Sequence, residues 1–173
     1  MNIVSLIQSV VWIYAPAMVA NMAPIFAAKW NMLPWLNRPL DFGVRVRGGR
    51  LFGSHKTLRG VVVALFAGAL TGMLQAIIIH QEILAGAFVG AVFGFGAIAG
   101  DAIKSFFKRR LRVAPGARWF PFDQIDFVIG ATITGMFFVH ISLPIFIIAV
   151  IGIGIASYVA SFVGVALHFK KTL

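Results

Sequence analysis

The sequence predicts an all-α, polytopic membrane protein with five transmembrane helices, its N-terminus outside and its C-terminus cytoplasmic. Three observations carry that expectation. Of 173 residues, 60% are hydrophobic and only 12% are charged, with a mean hydropathy of +0.94, which lies outside the soluble range. Five segments can be drawn with roughly the 20 apolar residues that a helix needs to cross about 30 Å of hydrocarbon. Laid across a bilayer, they leave all 15 basic residues on one side.

The first span runs from Val4 to Ala28, the second from Gly60 to Ile79 and the third from Ile83 to Lys104. The stretch from Phe127 to Ser142 is short, so the fourth span is started at Asp123, with its first turn in the interface. The fifth covers Leu143 to Leu167. Residues 1–173 thus form one membrane domain with two long connections, 29–59 and 105–122. The first connection holds Lys29, Arg38, Arg45, Arg47, Arg50, Lys56 and Arg59, and the second holds Lys108, Arg109, Arg110, Arg112 and Arg118. Lys170 and Lys171 follow in the tail, whereas the second and third spans are joined only by His80, Gln81 and Glu82. The positive-inside rule assigns the basic side to the cytoplasm.

Glycines recur every four residues at Gly68 and Gly72, at Gly86, Gly90 and Gly94, and at Gly96 and Gly100. Small residues at that spacing let helix backbones approach closely, and these faces also permit a homodimer. Pro16 and Pro24 each remove a backbone donor inside the first span, so the carbonyls they free need a neighbour or a wet cavity. With no cysteine in the chain, disulfides and thiolate chemistry are excluded. No basic residue precedes Lys29, so a cleavable signal peptide is not expected. No Ser/His/Asp set or His-rich metal spacing can be assembled from the four histidines.

Three of the five acidic residues, Asp101, Asp123 and Asp126, fall at the inner membrane boundary on either side of the second connection. Ionisable groups cost about 2.5 to 3.5 kcal/mol at mid-bilayer and less near the interface, so their presence calls for a reason. Asp101, Lys104, Ser105 and Lys108 are spaced i, i+3, i+4 and i+7 and form one polar stripe on a helix. Asp123 and Asp126 share a face of the next. If the two faces meet, three carboxylates converge with lysines beside them and offer hard oxygen ligands to Mg²⁺. Spacing alone does not choose between that and aspartates that cap a helix and pair with nearby cations.

The first connection ends in Gly48-Gly49-Arg50-Leu51-Phe52-Gly53-Ser54-His55-Lys56-Thr57-Leu58-Arg59-Gly60. Glycines let backbone N–H groups turn toward an anion, and a helix start with Lys and Arg beside it suits a phosphate. The alternative is that Thr57 is an ordinary N-cap and the basic residues are topology signals. No Walker loop is present, because two residues separate Gly53 from Lys56-Thr57 and no strand precedes them.

The segment Gly100-Asp101-Ala102-Ile103-Lys104-Ser105-Phe106-Phe107-Lys108-Arg109, followed by Asp123-Gln124-Ile125-Asp126, resembles the signature of the CTP-dependent cytidylyltransferases that make CDP-activated lipids. The Gly53-x-x-Lys56-Thr57-x-Arg59-Gly60 loop, the length and the five spans are most similar to the archaeal branch, the CDP-archaeol synthases. Ala20-Asn21-x-x-Pro24 and Asp41-Phe42-Gly43 extend the likeness over nearly the whole chain. Two positions depart from the wider pattern: Ser54, where an acidic residue is often found, and Lys104, where the bacterial diacylglycerol enzymes have Glu. The resemblance implies transfer of CMP from CTP to an isoprenoid ether lipid phosphate, 2,3-bis-O-(geranylgeranyl)-sn-glycerol 1-phosphate, with release of pyrophosphate. It further implies Mg²⁺ on Asp101, Asp123 and Asp126, catalytic roles for these and Lys104, and CTP held by Gly48, Gly49, Gly53, Lys56, Thr57, Arg59 and Lys108. The lipid phosphate is already anionic, so the reaction needs charge neutralisation and alignment rather than a general base.

Three rivals accompany this reading. A small transporter or channel would use Asp101, Lys104 and Asn21 to line a path, yet the outer halves of the spans carry almost no ionisable residue. A CDP-diacylglycerol synthase acting on phosphatidic acid would use the same polar groups, because tail chemistry is read by apolar surfaces. A scaffold with basic loops on anionic lipid leaves the three carboxylates unexplained. Nucleic acid is not expected as a partner, since topology and phosphate chemistry account for the formal charge of +10.

Overall fold

The computed structural model describes residues 2–46, 49–53, 55–114, 117 and 119–166. Five α-helices account for most of these: α1 (Ile3–Lys29), α2 (Leu58–Ile78), α3 (Ile83–Arg110), α4 (Phe122–Gly135) and α5 (Leu143–Ala166). The starts follow local chemistry. The Asn2 side chain accepts the Ser5 N–H at 2.8 Å to cap α1, Thr57 accepts the Gly60 N–H at 3.2 Å to cap α2, and the Glu82 carboxylate accepts from Leu84 and Ala85 to cap α3. Each satisfies a donor that the first turn leaves free.

Four of these helices, α1, α2, α3 and α5, have the length and apolar composition to cross a membrane. Within the expected fourth span, 123–142, the helix itself is shorter: α4 has 14 residues and ends at Gly135. At about 1.5 Å per residue it reaches roughly 21 Å, short of the hydrocarbon thickness. The amides of Phe138 and Val139 turn back to the Gly135 carbonyl, and the Phe93 ring lies 2.4 Å from where a Cβ on Gly135 would stand. The third helix carries its polar stripe past the expected span end at Lys104 and continues to Arg110, 28 residues in all, with no Gly or Pro after Lys104 to break it and three basic residues in the last turn, where they suit the negative end of the helix dipole. The first connection is not wholly irregular. It contains a 3₁₀ turn (Pro34–Leu36) and a small antiparallel hairpin, β1 (Arg45–Val46) with β2 (Gly49–Arg50), in which Arg45 faces Arg50.

The glycine ridges pack helices. A Cβ on Gly68 would stand 2.4 Å from the Gly90 carbonyl oxygen, and one on Gly72 would stand 2.2 Å from that of Gly86, so α2 and α3 touch backbone to backbone. On another face of α3, a Cβ on Gly96 would lie 2.5 Å from the Gly130 carbonyl oxygen and one on Gly100 would lie 2.2 Å from that of Asp126. Tyr14, Phe93, Val128 and Ala131 fill the centre with Ile145, Ala149 and Ile153 of α5. The Tyr14 hydroxyl meets that of Thr132 at 2.6 Å, while its ring stands edge-on to Phe93.

Pro16 leaves the Trp12 carbonyl without its helical donor, and Gln75 of α2 supplies one, with Nε2 at 2.6 Å. A neighbour, rather than water, therefore meets that need. Replacing Gln75 with leucine removes the donor and is expected to lower stability by about 1 kcal/mol. A melt of the detergent-purified variant measures this, and a wild-type Tm would show that the carbonyl finds another partner.

Candidate active site

The stripe on α3 and the acidic turn of α4 meet at the end of the bundle that carries the first connection. Gly100 brings the α4 backbone against α3 one residue before Asp101, which sets the two carboxylates of α4 opposite the stripe. The Lys104 ammonium then lies 3.1 Å from Asp101 Oδ1, 3.0 Å from Asp123 Oδ1 and 2.7 Å from Asp126 Oδ2. Two further lysines reach the same carboxylates. Lys56, from the loop before α2, bonds Asp101 Oδ2. Lys108 Nζ donates to both oxygens of Asp123 at 3.1 Å and to the Ala117 carbonyl at 2.6 Å.

Asp123 also accepts the Trp119 N–H, which ties the chain entering α4 to its first turn. Ser105 is buried and spends its proton on the Asp101 carbonyl, 2.8 Å away, as a helical Ser does when it has no other partner. Asp126 is the deepest of the three acids, its side chain 7% exposed.

In front of this cluster opens a cavity of about 500 Å³. One wall is Asp101, Lys104, Ser105, Lys108, Arg109 and Asp123, and the other is the loop with Gly49, Arg50, Phe52, Gly53, His55 and Lys56. Arg112, Val113 and Ala114 close the rim. Gly53 adopts φ +93°, a left-handed conformation that favours glycine. Six Lys or Arg side chains face two carboxylates across this space, which suits a polyanion.

Of the residues singled out from sequence, Asp101, Lys104, Asp123, Lys56, Lys108, Gly49 and Gly53 line the cavity. Asp126 stands behind Lys104 and does not. Thr57 serves as the α2 cap. Arg59 is buried with Nη1 3.4 Å from the Met32 carbonyl and also lies off the cavity wall. Gly48, Ser54, Arg118, Lys170 and Lys171 lie outside the described residues.

His55, in the glycine loop, is expected from sequence to be a surface residue rather than a phosphate contact, and Arg50, Arg109 and Arg112 carry no signal beyond their place in the two basic connections; all four line the cavity. Asp41 was read as part of a motif and has a definite job. Its side chain is fully buried and accepts the Gly43 N–H at 3.0 Å, Arg50 Nη2 at 2.8 Å and the Phe52 N–H at 3.3 Å. Burial alone would raise its pKa, but the Gly43 amide, Arg50 and the Phe52 amide outweigh it and hold the carboxyl below the usual carboxylate range. Arg110 adds a second tie, donating to the Val46 carbonyl at 3.0 Å while lying over the Phe106 ring.

The fold and the site define a multi-pass membrane protein with a cavity, lined by acidic and basic side chains, at one end of its helices. Residues 3–172 match the family described as CarS-like, CDP-archaeol synthase. The chain is 38% identical over 123 residues to the CDP-archaeol synthase of Methanopyrus kandleri, covering 70% of this chain and 66% of the relative. It is 38% identical to that of Thermofilum pendens, covering 73% and 60%, and 32% identical to that of Pyrobaculum aerophilum, covering 90% and 92%. The match thus spans less than two thirds of the first two relatives and nearly all of the third. A solved structure described as an intramembrane enzyme for archaeal membrane lipids biosynthesis superposes with a TM-score of 0.77 at 29% identity, over 88% of this chain and 92% of that one. The chain belongs to the CDP-archaeol synthase family, a family of enzymes.

Gly100→Ala drives a Cβ against the Asp126 carbonyl, and both Tm and any activity of the site are expected to fall together. The depressed pKa of Asp41 means that its contribution is present above the unfolded value of about 3.9 and is lost as pH falls through the folded value. Amide exchange across residues 42–53, corrected for intrinsic rates, should therefore accelerate on acidification in wild type. In Asp41→Asn it should already be fast at neutral pH.

Proposed function

We propose that this chain is a CTP-dependent cytidylyltransferase that converts 2,3-bis-O-geranylgeranyl-sn-glycerol 1-phosphate and CTP into CDP-archaeol and pyrophosphate. The observation that carries the reading is the cavity in which Lys56, Lys104 and Lys108 meet Asp101 and Asp123, in a chain of this family. An oxygen of the lipid phosphate attacks the α-phosphorus of CTP. The bond from that phosphorus to the bridging oxygen breaks, and pyrophosphate leaves with the electron pair. Both reactants are anions, so the work of the site is to neutralise and align them.

Lys56 stands at the loop wall and Lys108 at the end of α3, each now bonded to a carboxylate, so each can pass its charge to an incoming phosphate. Arg50, Arg109 and Arg112 add positive charge at the rim, where the departing pyrophosphate collects it. Gly49 and Gly53 shape the loop, Thr57 fixes the start of α2, and Arg59 holds the chain at Met32. The absence of a general base in this scheme agrees with a cavity whose only histidine, among the described residues, is His55.

Magnesium is the cofactor that the family resemblance implies. Among the described residues no group of three acids or histidines stands in a geometry that could hold a metal ion. The three aspartates nevertheless gather within 2.7 to 3.1 Å of one cation, the Lys104 ammonium, and carboxylate oxygens are the ligands a hard divalent ion takes. The donor set therefore fits, with Asp101, Asp123 and Asp126 as the residues that would hold the ion. Bound there, it would supply positive charge to the phosphates in reaction.

The basic connections support an orientation with the site facing the cytoplasm, the N-terminus outside and the C-terminus inside a cell membrane. The end of α4 and residues 136–142 would complete a fifth crossing. CTP is then met in water and the lipid phosphate at the membrane surface. A continuous polar path, which a transporter would need, finds no support in a bundle centre built of Tyr14, Phe93, Val128 and Ala131.

Pyrophosphate release by detergent-purified protein tests the proposal. It should require CTP and Mg²⁺, stop with EDTA, fail with ATP and prefer the isoprenoid lipid. Preference for phosphatidic acid would move the enzyme to the diacylglycerol reaction, and no release with either lipid from folded protein would overturn it. Asp123→Asn and Lys56→Ala should each lower turnover by at least about 100-fold.

A further inference from the structure

We infer that Arg110 is a positioning residue, a strut from the end of α3 that holds the hairpin wall of the cavity in place without itself touching a substrate; this role rests on the nucleotide-binding reading above.

The two walls of the cavity come from different parts of the chain. One is the inner end of α3 with the first turn of α4. The other projects from the start of α2. Its base is closed by Leu40 donating to the Lys56 carbonyl at 2.7 Å and Leu58 to that of Arg38 at 2.9 Å. Residues 44–46 and 49–51 stand off that base as the hairpin, with the Leu51 amide on the Val44 carbonyl at 3.0 Å. The bonds of Asp41, to Gly43, Arg50 and Phe52, all lie within the loop and fix its shape rather than its place. Among the described residues, two side-chain bonds cross from the loop to α3: Lys56 to Asp101, and Arg110 Nη1 to the Val46 carbonyl at 3.0 Å.

A polyanion treats these two ties differently. Lys56 lines the cavity, and in the proposed reaction it exchanges Asp101 for a phosphate oxygen, so its bridge opens as the site fills. Arg110 is not among the lining residues, and its bond to a main-chain carbonyl gives the ligand nothing to compete for. It stands behind the wall: Gly49 lines the cavity, and a Cβ there would come 3.8 Å from Arg110 Nη1. The Phe106 ring, one turn back on α3, has its centre 4.6 Å from the guanidinium carbon and sets its position. Nη2 is buried with no partner among the described residues, so the ring and one carbonyl hold the group, not water. Arg109, by contrast, lines the cavity. Adjacent arginines thus divide the work, one supplying charge to the site and the other supporting its wall.

A wall set before the ligand arrives loses less freedom when the ligand binds. The same contact persists in the transition state, so its loss weakens substrate binding and leaves the chemical step alone. Arg110→Met keeps the side chain over Phe106 and removes the donor. With CTP varied in the cytidylyl-transfer assay, its KM should rise about tenfold while kcat stays within about twofold of wild type. Phe106→Leu, which keeps the arginine and removes its ring, should raise KM about threefold.

Wall position is read separately, without turnover. The chain has no cysteine, so spin labels are placed at Val44→Cys on the loop and Phe66→Cys on α2, both exposed. The distance distribution between them, measured by pulsed electron resonance in detergent, should broaden on adding Arg110→Met or Phe106→Leu. A fall in kcat at unchanged KM would place Arg110 on the reacting groups and overturn the inference. So would a wild-type distance distribution in Arg110→Met. If the melt shows that Arg110→Met does not fold, Phe106→Leu decides by the same two readouts. No cytidylyl transfer by wild type or either variant would sink the proposed function, whereas the label distances would still decide for or against the strut.

Discussion

The approach of α3 and α4 at Gly96, Gly100 and Gly130 is the constraint on which the rest of the site depends. Lipid tails are as apolar as leucine, so helices in a membrane gain little by burying apolar surface against one another and rely on close packing instead. Here a backbone carbonyl of α4 occupies the space that a side chain on Gly100 would need. That contact fixes the rotation and the height of α4 together. Asp123 and Asp126 thus face Lys104 rather than lipid, and the charge cluster is a result of glycine packing before it is a result of attraction between ions.

Charge balance then maintains what packing assembles. Three aspartates meet Lys56, Lys104 and Lys108, so the cluster is neutral in its formal charges. Losing one partner of a buried pair typically costs about 3 to 5 kcal/mol, because the other charge stays behind in a poor solvent. The same reasoning extends to the loop. Asp41 is buried and gathers two amides and Arg50, which folds residues 41–46 and 49–53 into a wall rather than leaving them a tether. Rigid helices hold one side of the cavity, and a loop braced by one carboxylate holds the other.

Much of this was legible in the sequence, and the parts that were not share a physical cause. The polar stripe from Asp101 to Lys108 follows from helical periodicity alone, as does the shared face of Asp123 and Asp126. The packing role of the glycines followed from their spacing. The end of α4 did not, because the residues after Gly135 are apolar and continue the hydropathy of a span. What stops the helix is a turn packed around Phe93 of another element. The separate fate of Asp126 was hidden for a similar reason: spacing placed it with Asp123, but only the height of α4 against α3 shows that one faces the cavity and the other faces Lys104. Arg50 and Asp41 gave no periodic signal, since a hairpin of two-residue strands is too short to have one.

The length of α3 carries one more consequence. Its 28 residues amount to roughly 42 Å, some two turns more than the hydrocarbon requires. In the proposed orientation, those extra turns would hold Lys104, Lys108 and the arginines at the depth where phospholipid head groups lie. In the proposed reaction, neither substrate then leaves its own phase: the nucleotide arrives by diffusion in three dimensions and the lipid by diffusion in two. The rate therefore answers to two unlike concentrations, molar for CTP and mole fraction in the membrane plane for the lipid. Diluting the bilayer with inert lipid would slow the enzyme as surely as lowering the nucleotide, even with the total amount of acceptor unchanged.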